Sequence, residues 1–169
     1  MQAAALASVV GTLVGCSASD GSKEYDVPEA LCGVSVDQDL VSELLPAGTS
    51  ISVEEKNPVP SRTRCQVNID GKAALIASQM WWEKGTDRMT DVADSIPELD
   101  SAEPADDDSV LYSGTGALRR VTSCSNADHP DHTFFTSVQV YGDGVDDAEA
   151  TAALISAYTQ ALEGSGTCR

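Results

Sequence analysis

Positively charged side chains are scarce in this chain. Its 169 residues include 10 Lys and Arg against 27 Asp and Glu, which gives a formal net charge of −17 at pH 7. Binding to phosphate backbones depends on cationic side chains that release counterions. The composition therefore excludes nucleic-acid binding and electrostatic adhesion to anionic lipid head groups. A surface this acidic keeps a protein soluble, and we expect a monomer.

Long apolar runs are lacking as well. The stretch 3–15 is uncharged and mostly apolar or small, but a transmembrane helix needs roughly 20 apolar residues. A run of this length is typical of the apolar region of a signal peptide. It ends in Leu13-Val14-Gly15-Cys16, which resembles the bacterial lipobox. That resemblance implies transfer of a diacylglycerol to the Cys16 thiol and cleavage between Gly15 and Cys16.

The residues after Cys16 support this interpretation. Residues 17–22 are small and polar, as in a flexible tether. Two acyl chains, at about 0.8 kcal/mol per buried methylene, would anchor the chain stably in a lipid bilayer. No Lys or Arg precedes Cys16, although export signals normally begin with positive charge, so either the true start lies upstream or the signal is weak. The sequence predicts a signal peptide at 1–15, a lipidated tether at 16–26, and one extracytoplasmic domain at 27–169.

The cysteine count agrees with export. Of five cysteines, lipidation of Cys16 leaves an even four, as an oxidising compartment favours. Their spacing matches no zinc, thioredoxin-like or haem motif, so we expect no cofactor. Four cysteines allow three pairings. We favour Cys32 with Cys65 and Cys124 with Cys168, because each pair closes a moderate loop within one half of the chain.

The clearest strand signal is a hairpin centred on Asp70-Gly71. This pair between two apolar runs favours a two-residue turn, which needs positive φ at both central positions. The turn predicts three cross-strand pairs: Ile69 with Lys72, Val67 with Ala74, and Cys65 with Ile76. Because strand side chains alternate, one core face should carry Cys65, Val67, Ile69, Ala74, Ile76 and Met80.

Other local signals complete the predicted fold. One helix is predicted to begin at Pro28-Glu29. Three others are predicted over 37–45, 85–95 and 146–163, and the last of these stops at Gly164. Further strands are predicted around Ile51 and Val53 and over 118–124 and 133–141. The acidic segment 98–109 is predicted to be a solvated loop. The sum is an α+β domain, with an antiparallel sheet of about five strands and helices packed mainly on one face.

The order of these features resembles a broad group of short actinobacterial secreted lipoproteins of unknown function. The shared elements are the lipobox, Leu31-Cys32-Gly33, Arg64-Cys65, the run from Asp70-Gly71-Lys72 to Leu75, and Trp81-Trp82. The resemblance covers most of the mature chain and implies export, a membrane-anchored domain and two disulfides. It implies no activity.

Both histidines lie in the segment Asp128-His129-Pro130-Asp131-His132. His129, Asp131 and His132 are weak candidates for a divalent-metal site or a general base. Pro130 excludes the helical zinc-protease motif, and a polar turn between two strands explains the segment equally well. The acidic residues Glu103, Asp106, Asp107 and Asp108 are a weaker candidate for calcium, since they lack the spacing of an EF-hand.

Trp81-Trp82 ends the second strand of the hairpin. Adjacent strand residues point to opposite faces, so one Trp should enter the core while the other lies near solvent. The predicted register places Trp82 on the core side with Met80, which leaves Trp81 as the candidate for binding a sugar ring or a partner protein. A rim Trp that covers the end of a small core is the simpler interpretation.

The sequence therefore favours a non-enzymatic lipoprotein on the outer face of the cell membrane, anchored through acylated Cys16. Its domain would bind a small molecule or a cell-envelope protein, or serve a structural role. The alternative is a metal-dependent cell-envelope hydrolase that uses His129, Asp131 and His132.

Overall fold

A computed structural model describes residues 21–85, 88–105 and 108–168. The predicted signal peptide and the Cys16 lipidation site lie outside these residues, as do Asp106 and Asp107 of the acidic segment. Within the described residues, no helix is long and apolar enough to cross a membrane.

Strands dominate the fold. In chain order they are β1 (Ala30–Leu31), β2 (Val34–Ser35), β3 (Ile51–Val59), β4 (Arg62–Ile69), β5 (Lys72–Glu83), β6 (Glu103–Pro104), β7 (Val110–Tyr112), β8 (Gly116–Val121) and β9 (His132–Val140). β1 and β2 form a separate hairpin, and the other seven form one antiparallel sheet in the order β3-β4-β5-β9-β8-β7-β6. The prediction of about five strands was too low, because it missed two short strands: β6, which lies in the segment predicted to be a solvated loop, and β7, which follows that segment.

Three α-helices accompany the strands: α1 (Gln38–Glu43), α2 (Met89–Ala93) and α3 (Ala148–Glu163). The boundaries of α3 agree with the sequence, since the Asp147 side chain accepts a hydrogen bond from the Ala150 N–H at 2.9 Å and Gly164 follows the last turn. The helix predicted to begin at Pro28 is wrong. Cys32 and Gly33 adopt positive φ and turn the chain tightly between β1 and β2.

Helices cover both faces of the sheet. α1 and α3 pack on one face over a large core that includes Leu75, Phe134 and Ile155. α2 and a 3-10 turn at Pro97–Leu99 cover part of the other face, where a smaller cluster contains Met80 and Phe135. Phe134 and Phe135 are consecutive on β9, so the two clusters lie on opposite sides of the sheet. The α3 face holds the longest helix, but the packing is two-sided.

A β-bulge changes the predicted register of the central hairpin. Ile69 pairs with Lys72 as expected, but Val67 pairs with Leu75 rather than Ala74, and Cys65 pairs with Ala77 rather than Ile76. Ala74 is the extra residue, and its carbonyl accepts a hydrogen bond from the Tyr141 N–H at 2.8 Å. One inserted residue moves every later side chain to the opposite face. Ile76 and Met80 therefore do not share a face with Cys65 and Val67.

Both predicted disulfides are confirmed. Cys32–Cys65 ties the β1–β2 turn to β4, with a Cα–Cα distance of 5.6 Å. Cys124–Cys168 ties the segment after β8 to the segment after α3, with a Cα–Cα distance of 4.6 Å.

Near the start of the described chain, the Glu24 N–H donates to the Gly48 carbonyl at 2.8 Å, and the Tyr25 ring packs against the large core.

Candidate functional site

A cavity of about 360 Å³ opens at one end of the sheet, and we call it the strand-end pocket. Its wall combines residues from the ends of β5 and β8, the start of β9 and the loop before β9. The lining residues are Lys84, Arg120, Val121, Thr122, Cys124, Ser125, Asn126, His129, Pro130, His132 and Thr133. The volume falls within the range of about 300–1,000 Å³ that is typical of small-molecule sites.

Backbone hydrogen bonds hold the strands that frame the pocket. Glu83 at the end of β5 pairs with His132 at the start of β9. The N–H of Lys84 then donates to the Asp131 carbonyl at 3.0 Å. The Lys84 Nζ donates to the Pro130 carbonyl at 3.3 Å, which folds this side chain against the pocket wall.

The loop over residues 122–131 is held at several points. The Asn126 side chain accepts from the Asp128 N–H at 2.8 Å and donates to the Thr167 carbonyl at 3.3 Å. The Asn126 carbonyl accepts from the His129 N–H at 3.1 Å. The Cys124–Cys168 bridge fixes the start of the loop to the end of the chain that follows α3. The side chains of this loop are therefore held on a fixed support.

Four aromatic rings connect the pocket wall to the core. The Trp81 ring stacks on His129 with centroids 5.0 Å apart and an interplanar angle of 16°. It also contacts Phe134 at 4.5 Å. His129 meets His132 edge to face at 5.3 Å. Trp81 and the histidines, predicted as separate candidates from separate motifs, thus belong to one cluster.

The two tryptophans differ from the prediction. Trp81 lies on the α3 face, since its cross-strand partner Phe134 is part of the large core. Trp82 packs against the smaller cluster on the opposite face. Both side chains are half-buried, and both line a separate cavity of about 260 Å³. The expected division into one core Trp and one solvent Trp is wrong, because both faces of the sheet carry a core at this end.

The charge of the strand-end pocket opposes that of the whole molecule. Its wall carries both histidines of the chain together with Lys84 and Arg120, and the described part of that wall includes no Asp or Glu. In the chain as a whole, acidic residues outnumber Lys and Arg by 27 to 10. The described structure gives the buried Nδ1 atom of His132 no hydrogen-bond partner. Such a wall can donate hydrogen bonds to a ligand and attract a ligand of negative charge.

The metal candidates fit less well. Asp131 is exposed and does not line the strand-end pocket. Over the described ranges, no three His, Cys, Asp or Glu side chains group in a way that could hold a metal ion. Of the acidic run proposed for calcium, Glu103 lies in β6 opposite Tyr112 and Asp108 is exposed.

A second cavity, of about 330 Å³, is lined by residues that include Asp70, Lys72 and Tyr141. Hydrogen bonds from Thr49, through both its side chain and its N–H, and from Ser50 lower the pKa of Asp70. Burial, followed by the nearby Glu98 carboxylate, raises the pKa of Tyr141 to about 12. Asp70 thus serves to tie the start of β3 to the hairpin turn.

Sequence reasoning missed Lys84, Arg120 and Asn126 as site residues. Each is an isolated polar residue at a strand end or in a loop, and no local pattern distinguishes it. The chain matches no family model, no curated protein and no solved structure. Its function is therefore inferred from its own residues and their geometry.

Proposed function

We propose that this protein is a lipid-anchored extracytoplasmic binding protein that takes a small ligand into the strand-end pocket. The observation that carries the proposal is the pocket itself, a concave site of about 360 Å³. Its wall is held by strand pairing and by the Cys124–Cys168 bridge. Pre-formed concave sites with a few convergent polar groups are the usual form of small-molecule sites. The protein acts by binding rather than by catalysis.

The cysteines support the proposed location. Four of the five are paired in two disulfides, which leaves Cys16 as the one remaining cysteine in the sequence. Disulfides persist in exported proteins and are rare in a reducing cytosol. The remaining cysteine follows Gly15 at the end of the apolar run, where the lipobox resemblance requires it.

Fractionation of cells that express the full chain tests the anchor. We expect the wild-type protein in the membrane fraction, released only by detergent, and we expect Cys16→Ser to lose lipid labelling. Cys32→Ser is the matched control, because it removes a disulfide cysteine and should keep the lipid. A Cys16→Ser protein that still incorporates labelled fatty acid would rule out this anchor.

Native mass spectrometry of the detergent-purified protein tests the pocket. We expect a bound small mass that survives gentle ionisation and is lost in Ser125→Trp, because the new indole would fill the cavity. Ser35→Trp places the same side chain at an exposed position in β2 and should keep the bound mass. A bound mass equally present in both variants would locate the ligand elsewhere. A protein that carries no ligand and gains thermal stability from no compound in a metabolite panel would refute the proposal.

The competing hypothesis is a metal-dependent hydrolase that uses His129, Asp131 and His132. The contact between the two imidazole rings favours it. The exposed position of Asp131 weakens it, because a third ligand would have to come from outside this segment. A hydrolase should lose bound metal and metal-dependent activity in His132→Ala, whereas a binding protein should show neither property in the wild type.

A further inference from the structure

We propose that the strand-end pocket recognises a dianionic phosphate group carried by a small molecule. This inference rests on the proposed function and specifies the chemistry of its ligand. The starting observation is the local reversal of charge, since Lys84, Arg120 and both histidines line one cavity, and none of the described residues that line it is Asp or Glu. In a chain with a net charge of −17, acidic side chains would be the expected lining.

Lys84 is the cation of the pocket wall that an anionic ligand would meet. Its ammonium group donates to the Pro130 carbonyl and lies within 4.0 Å of no carboxylate of the described residues. Among the described residues, only this neutral carbonyl accepts from the ammonium group, which has three protons to donate. An oxyanion in the pocket would supply both a counter-charge and further acceptors.

The remaining lining matches an oxyanion with several oxygens. The hydroxyls of Thr122 and Ser125 can each donate one hydrogen bond, and Arg120 lies in the same wall. The His132 Nδ1, which lacks a partner in the described structure, would find one in a ligand oxygen after a small rotation of the ring. One carboxylate has too few oxygens and too little charge for this set. A phosphate dianion supplies Lys84 with a counter-charge and has enough oxygens to accept from the hydroxyls and from His132 as well.

The size of the cavity and the charge of the surface restrict the ligand further. A water molecule accounts for about 30 Å³ of liquid, so a phosphate group fills only part of a cavity that could hold several waters. The cavity of about 360 Å³ leaves room for the small group that bears the phosphate. A nucleic acid is excluded, because its other phosphates would meet the acidic surface.

Isothermal titration calorimetry of the full-length protein in detergent, with inorganic phosphate as the probe, tests the inference. We expect one saturable site, with sulfate competing and acetate competing poorly. Lys84→Met keeps the length of the side chain and removes its charge, and we expect it to weaken phosphate binding by about ten- to a hundredfold, as for the loss of one charge-assisted hydrogen bond. Lys84→Arg should retain most of the affinity.

Lys56→Met is the matched control. It makes the same change in net charge on the edge strand β3, where Lys56 contacts Glu54 at 3.4 Å. Phosphate affinity that fell equally in Lys56→Met and Lys84→Met would show a general charge effect and overturn the inference. Unchanged affinity in a folded Lys84→Met protein would overturn it as well.

The failure of this inference is distinguishable from failure of the proposed function. If neither phosphate nor sulfate binds while a neutral bound mass is lost in Ser125→Trp, the pocket is a ligand site but the phosphate assignment is wrong. If acetate binds better than phosphate, the ligand is a carboxylate and the dianion argument is refuted. If phosphate binds and Ser125→Trp abolishes binding, both proposals are supported.

Discussion

Removal of the Cys124–Cys168 bridge by the double change Cys124→Ala and Cys168→Ala should destabilise the domain strongly. The two cysteines are 44 residues apart. A cross-link over a loop of this length removes enough conformational entropy from the unfolded chain to stabilise the fold by about 4 kcal/mol. That is a large part of the roughly 5–15 kcal/mol by which native domains are stable.

The same change should also alter the strand-end pocket. Cys124 lines the pocket. The bridge joins the pocket loop to the segment after α3, and the Asn126 side chain also bonds to that segment through the Thr167 carbonyl. Without the bridge, we expect the loop to open more often and phosphate to bind more weakly.

Equilibrium unfolding in guanidinium chloride, followed by circular dichroism, measures the loss. We expect a lower midpoint and a slightly larger denaturant slope, because the unfolded chain without the bridge exposes more surface. The control is Cys32→Ala with Cys65→Ala, which removes a bridge with a separation of 33 residues, worth about 3.7 kcal/mol by the same relation. Neither of those cysteines lines the pocket.

The two double variants should therefore be similarly unstable but should differ in binding. A loss of less than about 1 kcal/mol for the Cys124 and Cys168 variant would refute the loop-closure argument. Equal phosphate affinity in both variants, measured where both are folded, would show that the bridge does not support the pocket.

Substitutions at four further positions test other parts of the fold. Burial raises the pKa of Tyr158 to about 12 from 10.0. The part of the free energy of unfolding that depends on a protonated Tyr158, about 3 kcal/mol, should therefore be complete below pH 10 and lost as the pH rises towards 12. Tyr158→Phe should flatten that loss in alkaline unfolding curves. Ser137→Ala should leave the free energy of unfolding unchanged or raise it by up to about 1 kcal/mol, because the buried Ser137 Oγ has no hydrogen-bond partner in the described structure. Thr136→Val, one residue earlier, should lower it by about 1–3 kcal/mol through loss of the 2.6 Å hydrogen bond to Thr159, and the opposite order in urea titrations would contradict this reasoning. Asp147→Ala should lower it by about 1 kcal/mol through loss of the α3 cap, whereas Asp147→Asn, which keeps an acceptor oxygen, should retain most of the stability.

Several features were predictable because they depend on short stretches of sequence. The Asp70-Gly71 turn formed as expected, with φ of +49° and +77°, because few residue pairs tolerate that backbone conformation. The start and end of α3 followed from Asp147 and Gly164. The disulfide pairing followed from the preference for moderate loops. Each of these inferences needs only neighbouring residues or the distance along the chain.

The tertiary structure alone decided which face each later side chain of the hairpin occupies. The bulge at Ala74 has no signal in the local sequence, and the carbonyl of this residue accepts a hydrogen bond from Tyr141, 67 positions further along the chain. The bulge placed Trp81 on the face of Phe134 and His129. The division into one core face and one solvent face was wrong for a separate reason, since α2 buries part of the opposite face.

The strand-end pocket shows the same limit for function. Sequence patterns identified Trp81 and the histidines, but as two unrelated candidates. Lys84 and Arg120 joined them only when β5, β8 and β9 aligned their ends at one side of the sheet. A turn or a helix cap is determined by contacts between near neighbours, whereas a pocket is made by residues far apart in the chain. Their meeting depends on strand order and register, which arise from the packing of the whole domain.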